Sequence, residues 1–268
     1  MKNLNIRPPA VAGMFYPAQP LPLGRRVATF LEQADTGPMR NSKALLAPHA
    51  GYDYSGPIAG SAFRSWADAA GSISRVVLLG PSHYVPFSGI ALPRAAGFAT
   101  PLGTVPIDEG AVERLRGLPQ VREFDPAHEQ EHCLEVELPF LQQVLSGFAI
   151  VPLVIGDATA EEVSEVVEAL WGGNETRFVV SSDLSHYHNY ETARQLDQAT
   201  ALAIEGARPD QITAHRACGH LAIRGFLKAA KRRGLEARTL DLRNSGDTAG
   251  RRDSVVGYGA FVFEERQS

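Results

Sequence analysis

Residues 43–56 read KALLAPHAGYDYSG, and the reading of this stretch decides the fold. Residues 43–47 carry the apolar run of a short buried strand. Pro48 ends the ladder because it has no N–H to donate. His49 is the first side chain past that stop, and Gly51 and Gly56 let the backbone turn away. An imidazole therefore stands where an apolar strand runs out.

The same arrangement recurs along the chain. Residues 75–80 (RVVLLG) run into Pro81-Ser82-His83, residues 148–156 (FAIVPLVIG) into Asp157, and residues 177–180 (RFVV) into SSDLSHY at 181–187. In open α/β sheets the ligand crevice lies beyond the carboxyl ends of the strands, so polar, metal-competent side chains at several such ends predict one site. Helices are expected at 22–32, 57–66, 108–115, 159–170, 190–205 and 218–231. Another helix is expected from Asp125-Pro126 onwards, with Leu134, Leu138, Leu141 and Leu145 at helical spacing and Pro139 kinking it. Residues 84–106, rich in Gly and Pro, read as irregular loop with strand pieces such as 89–92. Two strands, 237–242 and 255–263, flank a turn at 244–247. Strands alternating with helices predict an α/β layered domain, and no linker divides it, so residues 1–268 read as a single domain.

Composition narrows the functional classes. With 268 residues and 44% hydrophobic content, the chain can bury a full core. A formal net charge of −4 provides no field for nucleic acid or anionic lipid, and the basic cluster at 228–233 suits the end of a helix. Cys133 and Cys218 are too few for a disulfide scaffold and fit a reducing compartment. The start, MKNLNIRPPAV, lacks the apolar core of a signal peptide, and the longest apolar run is too short to span a bilayer. A soluble, cytoplasmic protein is expected.

Each candidate residue has a bland alternative. His49 and His83 each follow a strand end and a proline, and histidine is the commonest transition-metal ligand; either can instead cap a strand. Cys218, in Ala217-Cys218-Gly219-His220, opens a helix whose positive N-terminal end is expected to favour thiolate, the metal-binding form; the alternative is a buried structural thiol. Cys133 lies in an apolar pattern and reads as packing. Asp183 and His186 have the spacing of an acid–base pair, the aspartate holding the imidazole in one tautomer; the alternative is a helix cap. His128-Glu129-Gln130-Glu131-His132 matches H-E-x-x-H, which at face value suggests a zinc peptidase, but the three-position motif is short and no further histidine motif follows. Glu131, His132 and Glu135 read alternatively as groups supporting the site.

These motifs occur together in a known family. AGMFYP at 12–17, APHAGYDYSG at 47–56, LLGPSHY at 78–84, EHCLEVELPFL at 131–141, SSDLSHY at 181–187, ACG at 217–219 and NSGD…VVGYGAF at 244–261 follow the order of the MEMO family (mediator of ErbB2-driven cell motility). The chain most resembles the prokaryotic members called AmmeMemoRadiSam system protein B. The resemblance implies an α/β fold with a central mixed β-sheet flanked by helices, like the class III extradiol ring-cleavage dioxygenases. It implies a metal, Fe(II) or copper, on His49, His83 and Cys218, with Asp183, His186 and His132 lining the site as catalytic groups. It further implies an oxygen-dependent redox activity on an unknown small molecule or peptide, or a binding module for peptides or partner proteins. AMMECR-type and radical SAM proteins of the same system are the implied partners. Cysteine replaces the carboxylate of the dioxygenase 2-His-1-carboxylate face, which makes the site softer. Phe15 stands where the animal relative has a tryptophan in a phosphotyrosine-peptide pocket, so that recognition is not carried over.

Overall fold

A computed structural model describes residues 5–36 and 42–265. The first four residues, part of the stretch read as lacking a leader, lie outside the described residues. Twelve strands are described: β1 Ile6–Arg7, β2 Ser42–Ala47, β3 Arg75–Pro81, β4 Ile90–Leu92, β5 Gly97–Thr100, β6 Gly103–Pro106, β7 Val121–Glu123, β8 Ala149–Ile155, β9 Thr176–Ser181, β10 His186–His188, β11 Leu235–Asn244 and β12 Val255–Glu265. The α-helices are α1 Pro20–Gln33, α2 Tyr52–Arg64, α3 Glu109–Glu113, α4 Pro126–Glu129, α5 Leu138–Val144, α6 Ala160–Ala169, α7 Tyr190–Glu205 and α8 His220–Arg232.

Nine strands form one mixed sheet in the order β10-β12-β2-β9-β3-β8-β4-β7, with β11 on β12. Its centre, β2-β9-β3-β8, is parallel, whereas β12 and β4 run antiparallel to it. The four central strands are buried almost throughout, as strands covered on both faces must be. Two groups of helices cover the sheet. Helices α1, α2 and α5 pack together, with Phe63 and Phe140 stacked at 5.3 Å; α6 and α8 pack together, with Phe226 of α8 against Phe178 and Phe263. The expected central mixed sheet flanked by helices is present.

Two departures from expectation occur at prolines. Helix α2 begins at Tyr52, not Pro57, because the buried Tyr52 hydroxyl donates to Val136 O at 2.7 Å and anchors the first turn; Pro57 is then carried inside the helix. Pro139 starts α5 rather than kinking a longer helix, since its missing N–H is harmless in a first turn. The chain from 125 to 145 is thus α4, an irregular segment, a 3₁₀ turn at Glu135–Glu137 and α5. Residues 84–106 hold more order than their composition suggests, since β5 and β6 form a hairpin that joins β1 in a small second sheet.

Candidate metal centre

Neighbouring parallel strands deliver the site. His49 lies two residues past β2, Asp183 two past β9 and His83 two past β3, and these strands adjoin in the sheet. The His49 and His83 rings are 5.1 Å apart between centroids, and His132 completes a triangle at 5.5 Å from His49 and 4.7 Å from His83. One ligand atom from each of these histidines lies within 4.8 Å of the others, and the same holds for His83, Glu131 and Cys133. Among the described residues, these overlapping histidine and cysteine groups can hold a metal ion.

His132 reaches the cluster on the irregular segment after α4, and Gly80 permits the approach. A Cβ at Gly80 would lie 2.5 Å from Cys133 Sγ and 2.7 Å from Leu134 Cδ2. Glu131, buried in that segment, collects the backbone N–H of His83 at 2.7 Å, of His132 at 3.0 Å and of Cys133 at 3.1 Å. It also holds His83 Nδ1 at 2.8 Å. Burial pushes the Glu131 carboxyl up, but the hydrogen bonds and charge of His83 outweigh it and bring it down to about 2. On the other ring, Ser181 Oγ lies 2.8 Å from His49 Nδ1. Both Nδ1 atoms are therefore occupied, which leaves Nε2 of each ring for a ligand, as metal-binding histidines require. Burial, reinforced by His83, His132 and His186, holds His49 well below the usual imidazole range, so its ring is neutral.

Cys218 joins His49, its Sγ 3.3 Å from His49 Nε2, with the Asp183 N–H directed at the sulfur from 3.3 Å. Gly219 lets this turn press on the end of β9, where a Cβ would fall 2.7 Å from Ser182 Cβ and 2.8 Å from Ser181 O. The expected thiolate is not stabilised by the helix. Cys218 lies two residues before α8, and burial, with the charge of Asp183, raises the thiol to about 12. A cation at the sulfur would be needed to remove the proton. The third member of the tight group with His49 and His83 is His132, not Cys218.

Asp183 and His186 do not form the expected pair. Asp183 accepts the His49 N–H at 2.8 Å and so ties the turn after β2 to the end of β9; burial lifts its carboxyl to about 7. His186 is half-buried on β10, its ring 5.7 Å from that of Tyr187. The H-E-x-x-H reading also fails on geometry. Helix α4 stops at Glu129, His128 turns inward with Nε2 3.0 Å from Ala91 O, and only His132 belongs to the cluster. Glu135 serves the N-terminal segment rather than the centre: it accepts from Arg7 Nη1 and Ala10 N at 2.7 Å, Val11 N at 3.0 Å and the Tyr16 hydroxyl at 2.6 Å. Cys133 is buried, its Sγ donating to Pro81 O at 3.2 Å, but it is more than the packing residue expected, since its sulfur also belongs to the group with His83 and Glu131. His220 remains half-buried beside Cys218 on the wall of a cavity of about 560 Å³ that also touches Ser82, Phe87 and Asp157.

Comparison with known proteins agrees with this architecture. The family model described as Memo-like protein matches residues 7–262. A MEMO1 family protein of Aeropyrum pernix is 36% identical over 290 residues, covering 96% of this chain and 99% of the relative. MEMO1 family proteins of Sulfolobus acidocaldarius and Thermotoga maritima are each 33% identical, again over 96% of this chain and 99% of the relative. No helix among the described residues is long and apolar enough to cross a membrane. Matched along nearly its whole length by model and relatives alike, the chain belongs to the Memo-like protein family.

Proposed function

We propose that the chain is a metal-dependent redox protein whose iron or copper ion is held by His49, His83 and Cys218. The observation that carries this reading is the opposition of His49 Nε2 and Cys218 Sγ at 3.3 Å, with the His83 and His132 rings beside them. Nitrogen and sulfur ligands at typical metal distances in a tetrahedral arrangement stand roughly 3.6 Å apart, so the pair needs almost no movement to share an ion. Two imidazoles and a thiolate suit Fe(II) or Cu(I) and leave coordination positions open. When bound, the ion supplies electron transfer with oxygen. The protein supplies the rest. Burial holds His132 down to about 4, so near neutral pH its ring is uncharged: it can accept a hydrogen bond from a substrate group but is too weak a base to hold the proton. His186 is the proton-handling group in this reading, and the cavity beside Cys218 has room for a small molecule.

Elemental analysis of anaerobically purified protein tests the reading. Wild type should carry close to one iron or copper per chain, and His49→Ala and Cys218→Ser should lose most of it. Unchanged content in both variants would overturn the proposal; loss in His132→Ala with retention in Cys218→Ser would move the ion to the three histidines. A non-catalytic module binding peptides or partner proteins at the same crevice is a second reading. It is favoured by the exposure of Tyr84 and Tyr187, 55% and 78%, beside His132 and His186. Peptide capture that survives Cys218→Ser, by protein free of iron and copper, would support it.

A further inference from the structure

Glu137 is a carboxyl group with no place in the reading above. It is fully buried in the 3₁₀ turn before α5 and makes no ion pair among the described residues. Its Oε1 lies 2.8 Å from Ser181 Oγ, while Oε2 has no partner. Ser181 Oγ in turn has Cys133 O at 2.7 Å and His49 Nδ1 at 2.8 Å. One hydroxyl thus faces three polar atoms at hydrogen-bonding distance, and it has one proton to give.

Counting protons selects one order. The carbonyl of Cys133 can only accept, so the contact at 2.7 Å requires the serine proton; otherwise two oxygens meet with only lone pairs between them. Ser181 Oγ must then accept from both remaining neighbours. Glu137 donates to it as a neutral carboxylic acid, and His49 donates through Nδ1–H. A neutral Glu137 agrees with its surroundings, since burial, reinforced by the charge of Asp183, pushes its carboxyl well above the ordinary range against the opposing pull of Ser181. An imidazole that is neutral and protonated on Nδ1 carries its lone pair on Nε2, the atom that faces Cys218 Sγ.

We propose that Glu137, acting through Ser181, is a positioning residue that locks His49 in its Nδ1–H tautomer and so presents the Nε2 lone pair to the metal centre. This rests on His49 being a ligand, as proposed above. A metal-binding imidazole is commonly oriented by a carboxylate or carbonyl on its other nitrogen. Here the group in contact is a hydroxyl whose own proton is directed away, and the buried acid behind it fills the hydroxyl's remaining acceptor position.

The tautomer can be observed without metal. Long-range proton–nitrogen correlation spectra of chelator-treated, ¹⁵N-histidine-labelled protein should show His49 with a protonated Nδ1 and an unprotonated Nε2. Glu137→Gln retains an N–H donor toward Ser181 and should preserve that pattern. Glu137→Leu and Ser181→Ala should give a mixture of tautomers. They should also weaken Zn(II) binding, a redox-silent probe followed by calorimetry, by about tenfold or more, whereas Glu137→Gln stays within about threefold. An Nε2–H tautomer in the wild type would overturn the proposal, and that measurement needs no variant to fold. Wild-type tautomer in both folded Glu137→Leu and Ser181→Ala would overturn it as well. If the expected tautomers appear while His49→Ala keeps its full iron or copper, the positioning role stands and the metal assignment fails.

Discussion

Glu131 shows how much of the centre depends on single atoms. Its two oxygens collect three backbone donors and one imidazole, and its pKa falls to about 2 although burial alone would raise it. A carboxyl depressed from 4.5 in the folded state contributes stability that is present above pH 4.5 and lost as pH falls toward 2. Urea midpoints measured from pH 5 to pH 2 should therefore drop steeply for the wild type. Glu131→Gln, with no charge to titrate there, should show a shallower slope and lower stability at pH 7. His49 and His83 were legible in the sequence because each stands just past a short apolar run. Ser181 and Glu137 were not, because a serine ending a strand and a glutamate in an apolar stretch acquire meaning only when residues 44 positions apart meet. Asp183 misled for the same reason, since its nearest imidazole in sequence is not the residue it binds.

At the scale of elements, glycines and one buried acid decide how closely pieces approach. Gly80 at the end of β3 leaves no room for a side chain against Cys133 and Leu134. Gly80→Ala should cost about 1–3 kcal/mol in urea unfolding, as overpacked sites do, and should reduce metal content by displacing the segment that carries Glu131 and His132. Helix α7 contributes Asp197, which accepts the Ser185 N–H at 3.0 Å and so holds the loop between β9 and β10. Burial raises its pKa to about 6 from 3.8. A folded-state pKa above the unfolded one means stability is fully present below pH 3.8 and is lost as pH rises through 6. Asp197→Asn keeps an acceptor for Ser185 and loses the charge. It should match the wild type near pH 3.5 and exceed it at pH 8 by up to about 3 kcal/mol in urea unfolding. The sequence revealed α7 with its bounds as observed, through clean helical spacing. It concealed the break after α4, because Leu134 to Leu145 keep the helical period across a segment whose single proline, Pro139, and buried glutamates impose another path.

At the scale of the molecule, the sheet gathers its ligands from distant parts of the chain, and the N-terminal segment braces the result. Arg7 pairs with Glu135 and also donates to His128 O at 2.7 Å and Glu131 O at 2.5 Å. Phe15 lies 4.8 Å from the His132 ring and accepts the Tyr52 N–H at 2.8 Å, which ties the brace to the turn bearing His49. Glu135→Ala would strand the Arg7 guanidinium in the interior, a loss of about 3–5 kcal/mol. Urea unfolding should show it, and limited proteolysis should cut within residues 5–20 long before the sheet yields. The layered α/β plan and the crevice at the strand ends were legible, because four apolar runs each end in a polar group. The small sheet of β1, β5 and β6 was hidden, since short strands rich in Gly and Pro lack the apolar alternation that marks an element.

The four bonds that converge on Glu135 also order events during synthesis. Their donors, Arg7, Ala10, Val11 and Tyr16, are synthesised between 119 and 128 residues before the acceptor. Until then the nascent chain carries an unpaired guanidinium and an unpaired phenol, both destined for burial. The N-terminal brace beside His132 therefore cannot close until Glu135 has been made, and a pause before residue 135 would leave the first segment without its acceptor.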